Sequence, residues 1–99
     1  MDVRVLSVHF TADQKLEEFC ERKVSKLDQI FDHIIGAEVA LKLEKSETLE
    51  NKVAEVKLSV PSNDYLFAKK QAKSFEEATD LACEALKKQL GRYKDKLKG

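Results

Sequence analysis

The stretches AEVALKLEK at residues 37–45 and VAEVKLSV at residues 53–60 decide the fold of this chain. In both, apolar side chains recur at alternate positions, and charged or small side chains stand between them. This period of two is typical of a β-strand with one buried face and one exposed face. The polar residues 46–52 are short enough to join the two strands, so the sequence predicts a hairpin here.

A long amphipathic helix is predicted before this hairpin. Thr11 can cap the free amides of its first turn, and Gln14, three residues later, completes a capping box. Apolar residues then recur from Leu16 to Phe31 with helical spacing, which predicts one apolar stripe on a helix of about 20 residues. Gly36 is expected to end this segment.

Two further strands and a second helix complete the pattern. Residues 2–8, DVRVLSV, are rich in β-branched side chains, and residues 65–70 predict a last strand after a turn cluster at 61–64. Ser74 then starts the final helix, with Glu77 at the capping-box position. The apolar spacing continues nearly to the end of the chain.

The predicted order β-α-β-β-β-α indicates an α+β fold. We expect a four-stranded mixed sheet with both helices packed on one face and the other face open to water or a partner. A right-handed crossover through the first helix makes the first two strands parallel. With 99 residues, the stretch 1–99 is expected to form a single domain.

The composition excludes several classes of protein. A hydrophobic share of 42% with few glycines and prolines excludes a disordered chain. No apolar run is long enough to cross a bilayer, and the N-terminus has no secretory pattern, so we expect a cytoplasmic protein without a membrane partner. The formal net charge is zero, which by itself argues against nucleic-acid binding.

Residues that could carry out chemistry are few and scattered. Cys20, Cys83, His9 and His33 lack the close pairing of zinc ligands, so no metal site is predicted and both cysteines are expected to be buried thiols. The sequence contains no glycine-rich phosphate loop and no nucleophile with an orienting base. The chain is therefore predicted not to be an enzyme, and to use no cofactor and no small-molecule substrate.

The charges of the final helix are divided between its two halves. Residues 74–86 contain four acids and no base, whereas residues 87–98 contain six bases and one acid. The helix dipole favours this order of charges. Its benefit fades beyond the last turn, however, so it explains only part of the basic cluster.

The first helix divides its charges lengthwise. Lys15, Arg22 and Lys26 fall within about 40° of one another on one flank of the apolar stripe, with Lys23 closer to the stripe, and acids group on the opposite flank. If this basic flank lies beside the basic half of the final helix, roughly ten cations share one surface, as a phosphate backbone requires. Three more cations would extend that surface: Lys69, Lys70 and Lys73.

Three motifs resemble those of a known family. They are KLDQIFDHI at residues 26–34, SFEEATDL at residues 74–81 and LKKQLGRYKDKL at residues 86–97. Together with the order of elements, they resemble the ribosome hibernation-promoting factor family, also called ribosome-associated inhibitor or sigma-54 modulation protein. The likeness covers nearly the whole chain.

The resemblance implies a β-α-β-β-β-α fold and binding to the small ribosomal subunit, in the channel for messenger and transfer RNA, where occupancy blocks translation during stress or stationary phase. The implied partners are 16S rRNA and neighbouring ribosomal proteins. The expected rRNA contacts are Arg22, Lys23, Lys26, Lys87, Lys88, Arg92, Tyr93, Lys94 and Lys96. Tyr93 could pack under these cations or stack on a base.

The chain also departs from parts of the family pattern. It stops directly after the second helix, so it resembles the short form of the family. The sequence leaves open whether the protein promotes ribosome dimers, with a second small factor, or only silences single ribosomes. The acids Glu44, Glu47 and Glu50 would repel RNA, so we expect them to point away from it. A competing hypothesis is a protein–protein adaptor that uses the open sheet face without binding RNA.

Overall fold

The chain folds in the predicted order. The computed structural model describes residues 1–44 and 47–98, with the backbone alone at residue 98. The elements are β1 (Asp2–Val8), α1 (Gln14–Ser25), a short 3₁₀ helix (Lys26–Gln29), β2 (Gly36–Leu43), β3 (Lys52–Val60), β4 (Asp64–Ala72) and α2 (Phe75–Lys98). The predicted strand end at Lys45 and the start of the predicted connection at Ser46 lie outside the described residues.

The sheet is mixed and its strands lie in sequence order. β1 pairs with β2 in parallel, with Val5 opposite Val39, and the two hairpins β2–β3 and β3–β4 are antiparallel. The prediction that the first two strands run parallel is therefore confirmed. β1 and β4 form the two edges of the sheet.

The alternating pattern positions both helices on one face of the sheet. Val39, Leu41, Val56 and Leu58 point to that face and are fully buried. Burial of each such side chain contributes about 1.5–3 kcal/mol, before the entropy of ordering the chain is counted. α2 packs over β3 and β4, whereas α1 packs beside β1 and against α2. The fold class predicted from the sequence is thus confirmed.

The prediction for the start of α1 is wrong by two residues. The carboxylate of Asp13, not Thr11, caps the helix, and it accepts a hydrogen bond of 2.8 Å from the amide of Leu16. Gln14 does not complete a capping box; its side-chain amide donates to Glu18 one turn later. Aspartate caps as well as threonine does, and apolar spacing alone does not decide between two candidate caps so close together.

The first helix is also shorter than predicted. Its α-helical part ends at Ser25, and the chain tightens into the 3₁₀ helix, where the amides of Ile30 and Phe31 both donate to the carbonyl of Leu27. Phe31 is buried and contacts α2, so its apolar spacing reflects packing of the connection to β2. Gly36 begins β2, where it lies opposite Asp2.

The remaining boundaries lie close to the predicted ones. β4 is longer than the predicted 65–70, and the turn before it places Ser62 and Asn63 in the left-handed region, with φ of 70° and 58°. Asparagine tolerates this conformation better than most residues do. The predicted cap of the second helix is confirmed in its forward half, since Ser74 Oγ accepts from the amide of Glu77 at 3.1 Å.

Substitution of Asp13 tests the cap that the structure defines. We expect Asp13→Ala to lower the free energy of unfolding by about 1 kcal/mol, because an amide of the first turn loses its acceptor. Urea denaturation followed by circular dichroism measures this change. Thr11→Ala is the matched control and should change stability by much less. Equal losses in the two variants would contradict the assignment of Asp13 as the cap.

Candidate nucleic-acid interface

The two helices run side by side in the same direction, but α1 reaches along only part of α2. Near the middle of α1, Cys20 Sγ lies 3.6 Å from Thr79 Oγ, in the acidic first half of α2. After α1 has ended, the ring of Phe31 meets Tyr93 edge-on at 5.4 Å. The basic half of α2 therefore lies beside the connection between α1 and β2, and the basic flank of α1 lies beside the acidic half of α2.

Lys23 shows which flank of α1 faces α2. Its Nζ lies 3.0 Å from Asp80 Oδ1, so the border between the apolar stripe and the basic flank faces α2. Arg22 and Lys23 also lie over the ring of Phe19, at 5.8 and 5.7 Å from its centroid. On the opposite flank, Asp28 of the following 3₁₀ helix accepts from the ammonium of Met1 at 3.2 Å. Opposite charges therefore lie on opposite flanks of the segment formed by α1 and the 3₁₀ helix.

The cations of α2 divide between two sides of the helix. Lys87 and Lys94 follow Asp80 at intervals of seven residues, or about two turns, so they share the flank that faces α1. Lys88, Arg92 and Lys96 follow one another at intervals of four, on a flank roughly 150° away around the helix axis. This second flank borders a groove beside β4. The arrangement is thus two cationic sides rather than the single wall expected from the sequence.

Carboxylates neutralise two of the predicted contact residues. Lys23 is paired with Asp80, and Lys87 Nζ lies 3.1 Å from Glu84 Oε1. Both pairs are partly exposed, and such pairs contribute only about 0–1 kcal/mol. A phosphate can therefore replace the carboxylate at little expense in free energy. Among the described residues, Arg22 and Lys26 take part in no ion pair, and Lys26 is exposed on the 3₁₀ helix.

The lysines of β4 separate onto opposite faces of the sheet. Lys69 lies on the open face, and its Nζ is 4.0 Å from Glu55 Oε2 and 3.7 Å from Glu44 Oε1. Contrary to the expectation from the sequence, it does not extend the basic surface of the helices. Lys70 points to the other side and borders the same groove as Lys88. The contact with Lys69 also places Glu44 towards the open face, away from the helices.

Tyr93 has a structural role. It is half-buried, its ring packs against Phe31, and its hydroxyl donates to the carbonyl oxygen of Pro61 at 3.4 Å. These contacts tie the basic half of α2 to the turn between β3 and β4. Tyr93 therefore packs against Phe31, while packing under the cations and stacking on a base both stay predictions.

Gln89 is a site residue that the sequence analysis missed. It occupies a position with the spacing of the apolar stripe, three residues after Leu86, and its side-chain amide donates to the carbonyl of Phe67 in β4 at 2.8 Å. A polar residue at an otherwise apolar position was the available signal. The bond fixes the basic half of α2 against the edge of the sheet.

The open face of the sheet has a mixed character. Arg4, Glu38, Lys57 and Phe67 form one row across the four strands. Lys57 lies 4.6 Å from the ring centroid of Tyr65, and Phe67 and Tyr65 are 44% and 56% exposed. Alternating charges with exposed aromatic rings are more typical of a protein contact than of a surface for polyanions.

The cysteines are buried, as predicted. Burial raises the pKa of Cys20, and burial together with the negative charge of Asp80 raises the pKa of Cys83 to about 11. A raised pKa disfavours the thiolate, which is the form that binds metals and attacks electrophiles. In the parts of the chain that the structure describes, no three histidine, cysteine or acidic residues gather in a way that could hold a metal ion. No described helix combines the length and apolar character needed to span a membrane.

The chain matches one protein family over almost its whole length. The family described as Sigma 54 modulation protein / S30EA ribosomal protein matches residues 3–98, and the chain belongs to this family. This membership confirms the resemblance found in the sequence. It also confirms the prediction that the chain is not an enzyme, because the family is one of ribosome hibernation factors.

Individual relatives are more distant than the family match. The chain is 28% identical over 98 residues to a ribosome hibernation promotion factor of Bacillus subtilis, covering 98% of this chain and 50% of that protein. It is 28% identical over 96 residues to a ribosome hibernation promoting factor of Pseudomonas putida, covering 97% and 89% respectively. The chain thus spans about half of the first relative and most of the second.

A solved structure shares the fold. A ribosomal subunit interface protein from Coxiella burnetii superposes with a TM-score of 0.84 at 20% identity, over 96% of this chain and 99% of the other. This likeness extends over all six major elements, so it supports the sheet order and the placement of both helices on one face.

The raised pKa of Cys83 predicts slow alkylation in the folded protein. At pH 8 a thiol with a pKa of about 11 is roughly 0.1% ionised, so iodoacetamide should modify Cys83 roughly 100-fold more slowly than in urea. Because the pKa rises on folding from 9.0, this thiol contributes stability that is complete below pH 9 and is lost as the pH rises towards 11. Peptide mass spectrometry measures the rate, and equal rates in native and denaturing buffer would contradict the prediction.

Proposed function

We propose that the chain is a ribosome hibernation factor, which binds the small ribosomal subunit in the mRNA/tRNA channel and inhibits translation during stress or stationary phase. The single observation that carries the proposal is the segregation of charge on a molecule of zero net charge, which gathers cations on the exposed sides of its helices. Membership of the family and the names of the relatives supply the ribosome as the target.

Binding needs no covalent chemistry. The contact residues proposed for 16S rRNA are Arg22, Lys23, Lys26, Lys87, Lys88, Arg92, Lys94 and Lys96, with Tyr93 behind or beside them. Each phosphate that they neutralise releases condensed counterions, which drives association at low salt. Inhibition follows from occupancy, because a protein in the channel excludes messenger and transfer RNA.

The proposal extends to location and further partners. A factor that acts on ribosomes works in the cytoplasm and contacts ribosomal proteins next to the rRNA. The stretch 1–99 acts as one ribosome-binding domain. Dimerisation of ribosomes is a separate activity, for which a second small factor is a candidate partner.

A protein–protein adaptor is the second candidate function. The row from Arg4 to Phe67 on the open sheet face favours it, because exposed aromatic rings between alternating charges suit a protein surface. Salt separates the two functions. Binding through several phosphates weakens steeply as salt rises, whereas contact through apolar burial responds weakly.

Charge reversal on α2 tests the ribosome contact. We expect Lys88→Glu with Arg92→Glu to abolish cosedimentation with small subunits, because two attractive phosphate contacts become repulsive. Both side chains are exposed, so circular dichroism should show an intact fold. The matched control is Arg4→Glu with Lys57→Glu, which makes the same change of charge on the open sheet face. Loss of binding in the control alone would favour the adaptor.

The ion pair between α1 and α2 gives a second test. Asp80→Asn frees Lys23 for a phosphate, so we expect tighter binding to small subunits. We also expect the plot of log K against log salt concentration to become steeper by a slope of about one. Titration of small subunits at three salt concentrations measures both quantities. The double variant Lys23→Gln with Asp80→Asn should lose this gain. Equal gains in the single and double variants would show that Lys23 does not contact RNA.

A further inference from the structure

A groove runs between the outer side of α2 and the edge strand β4. Its first section is bordered by Lys70 from β4 and by Lys88 and Arg92 from α2, and its second section by Leu66 and Lys96. Gln89 and Arg92 border both sections, and the Gln89 side chain crosses between them to the carbonyl of Phe67, so the two sections form one solvent-open channel that passes over this side chain. This channel lies on the side of α2 that faces away from α1.

The spacing of the cations along the groove is regular. Lys88, Arg92 and Lys96 are four residues apart on one helix, which places successive side chains about 6 Å apart along its axis. Neighbouring phosphates of a single nucleic-acid strand are separated by a similar distance, of about 6–7 Å. The three cations therefore match three successive phosphates of one strand.

The two walls of the groove make different contributions. Lys70 supplies a cation from the β4 side, so positive charge lies on both walls. The apolar side chains of Leu66, Leu81 and Ala85 border the channel between them. Gln89 donates to Phe67 through its amide nitrogen, and its side-chain oxygen accepts no hydrogen bond from any described residue. That oxygen can accept from a sugar hydroxyl or a base amine.

Acidic residues limit the length of the channel. Glu84 borders one end and Asp64 the other, and both would repel a phosphate. The attractive part extends from Lys88 to Lys96, eight residues apart, or about 12 Å of helix. This length holds about three nucleotides.

We infer that this groove binds the sugar–phosphate backbone of one single-stranded segment of RNA, over about three nucleotides. The inference rests on the proposed function and adds the kind of RNA and its place on the protein. A duplex is too wide to lie between a helix and the neighbouring edge strand. An acidic peptide also offers anions at this spacing, since alternate side chains of an extended chain lie about 6.6 Å apart, so peptide binding is an outcome of the test below.

Direct binding of a short RNA tests the inference. The probe is a fluorescent 12-nucleotide oligouridylate, measured by anisotropy with the full chain at about 100 mM salt. We expect Lys88→Gln with Arg92→Gln to weaken binding about 25-fold, and Lys70→Gln alone about fivefold, since each lost single-strand contact lowers the salt slope by about 0.7. The matched control Arg4→Gln with Lys57→Gln removes the same charge from the open sheet face and should weaken binding less than threefold.

Several outcomes would contradict the binding of a single RNA strand in the groove. Equal losses in the two double variants would show that total charge, rather than this channel, decides binding. Tighter binding of a 12-base-pair RNA duplex would show that the site prefers a duplex to a single strand. Equal binding of a glutamate 12-mer would show that the site accepts an acidic peptide as well as RNA. Failure to bind oligouridylate at all would also exclude the site.

Ribosome cosedimentation separates this inference from the proposed function. If the chain binds small subunits but Lys70→Gln affects neither ribosome nor oligouridylate binding, the assignment of the groove as an RNA site is wrong and the proposed function stands. If the chain does not bind small subunits but binds oligouridylate through the groove, the proposed function fails and the single-strand site stands.

Discussion

The packing of one apolar sheet face under two helices fixes the position of every proposed contact. Val39, Leu41, Val56 and Leu58 leave no exposed surface, and they hold α1 and α2 on the same side of the sheet. Because β1 and β2 are parallel, the crossover through α1 must run in the direction that α2 also takes after β4. The charges of the two helices are therefore arranged by core residues that never meet a ligand.

Zero net charge and a cationic binding surface are compatible in this fold. Acids lie on one flank of α1 and in the first half of α2, whereas bases lie on the other flank of α1 and in the second half of α2. Where the two sets meet, exposed ion pairs such as Lys23–Asp80 form, and these exchange readily for contacts with a phosphate. Distribution, rather than total charge, decides what such a molecule binds.

Much of this arrangement follows from the sequence alone. A period of two identifies β2 and β3, a period of 3.6 identifies the helices, and the right-handed crossover rule gives the parallel pair. The cap of α1 could not be chosen, because Thr11 and Asp13 both suit the position. Spacing along the chain did not reveal the early end of α1, because Phe31 keeps the helical spacing although it packs against Tyr93 from the connection to β2.

The positions of the site residues were less predictable than the elements. Helical periodicity places Lys88, Arg92 and Lys96 on one flank, but only the tertiary structure shows that β4 lies beside them. In the same way, alternation along β4 separates Lys69 from Lys70, and the register with β3 decides which of them faces Glu55. Sequence patterns thus give the neighbours within an element, whereas neighbours between elements depend on how they pack.

The hydrogen bond from Gln89 to the carbonyl of Phe67 affects how identical molecules meet. An outermost strand offers unpaired backbone groups to which another chain can add, and this is a common route to polymerisation. Here one of those groups is occupied, and the positive side chains alongside repel an identical edge. The same residues that line the groove therefore disfavour stacking of copies strand to strand along this edge.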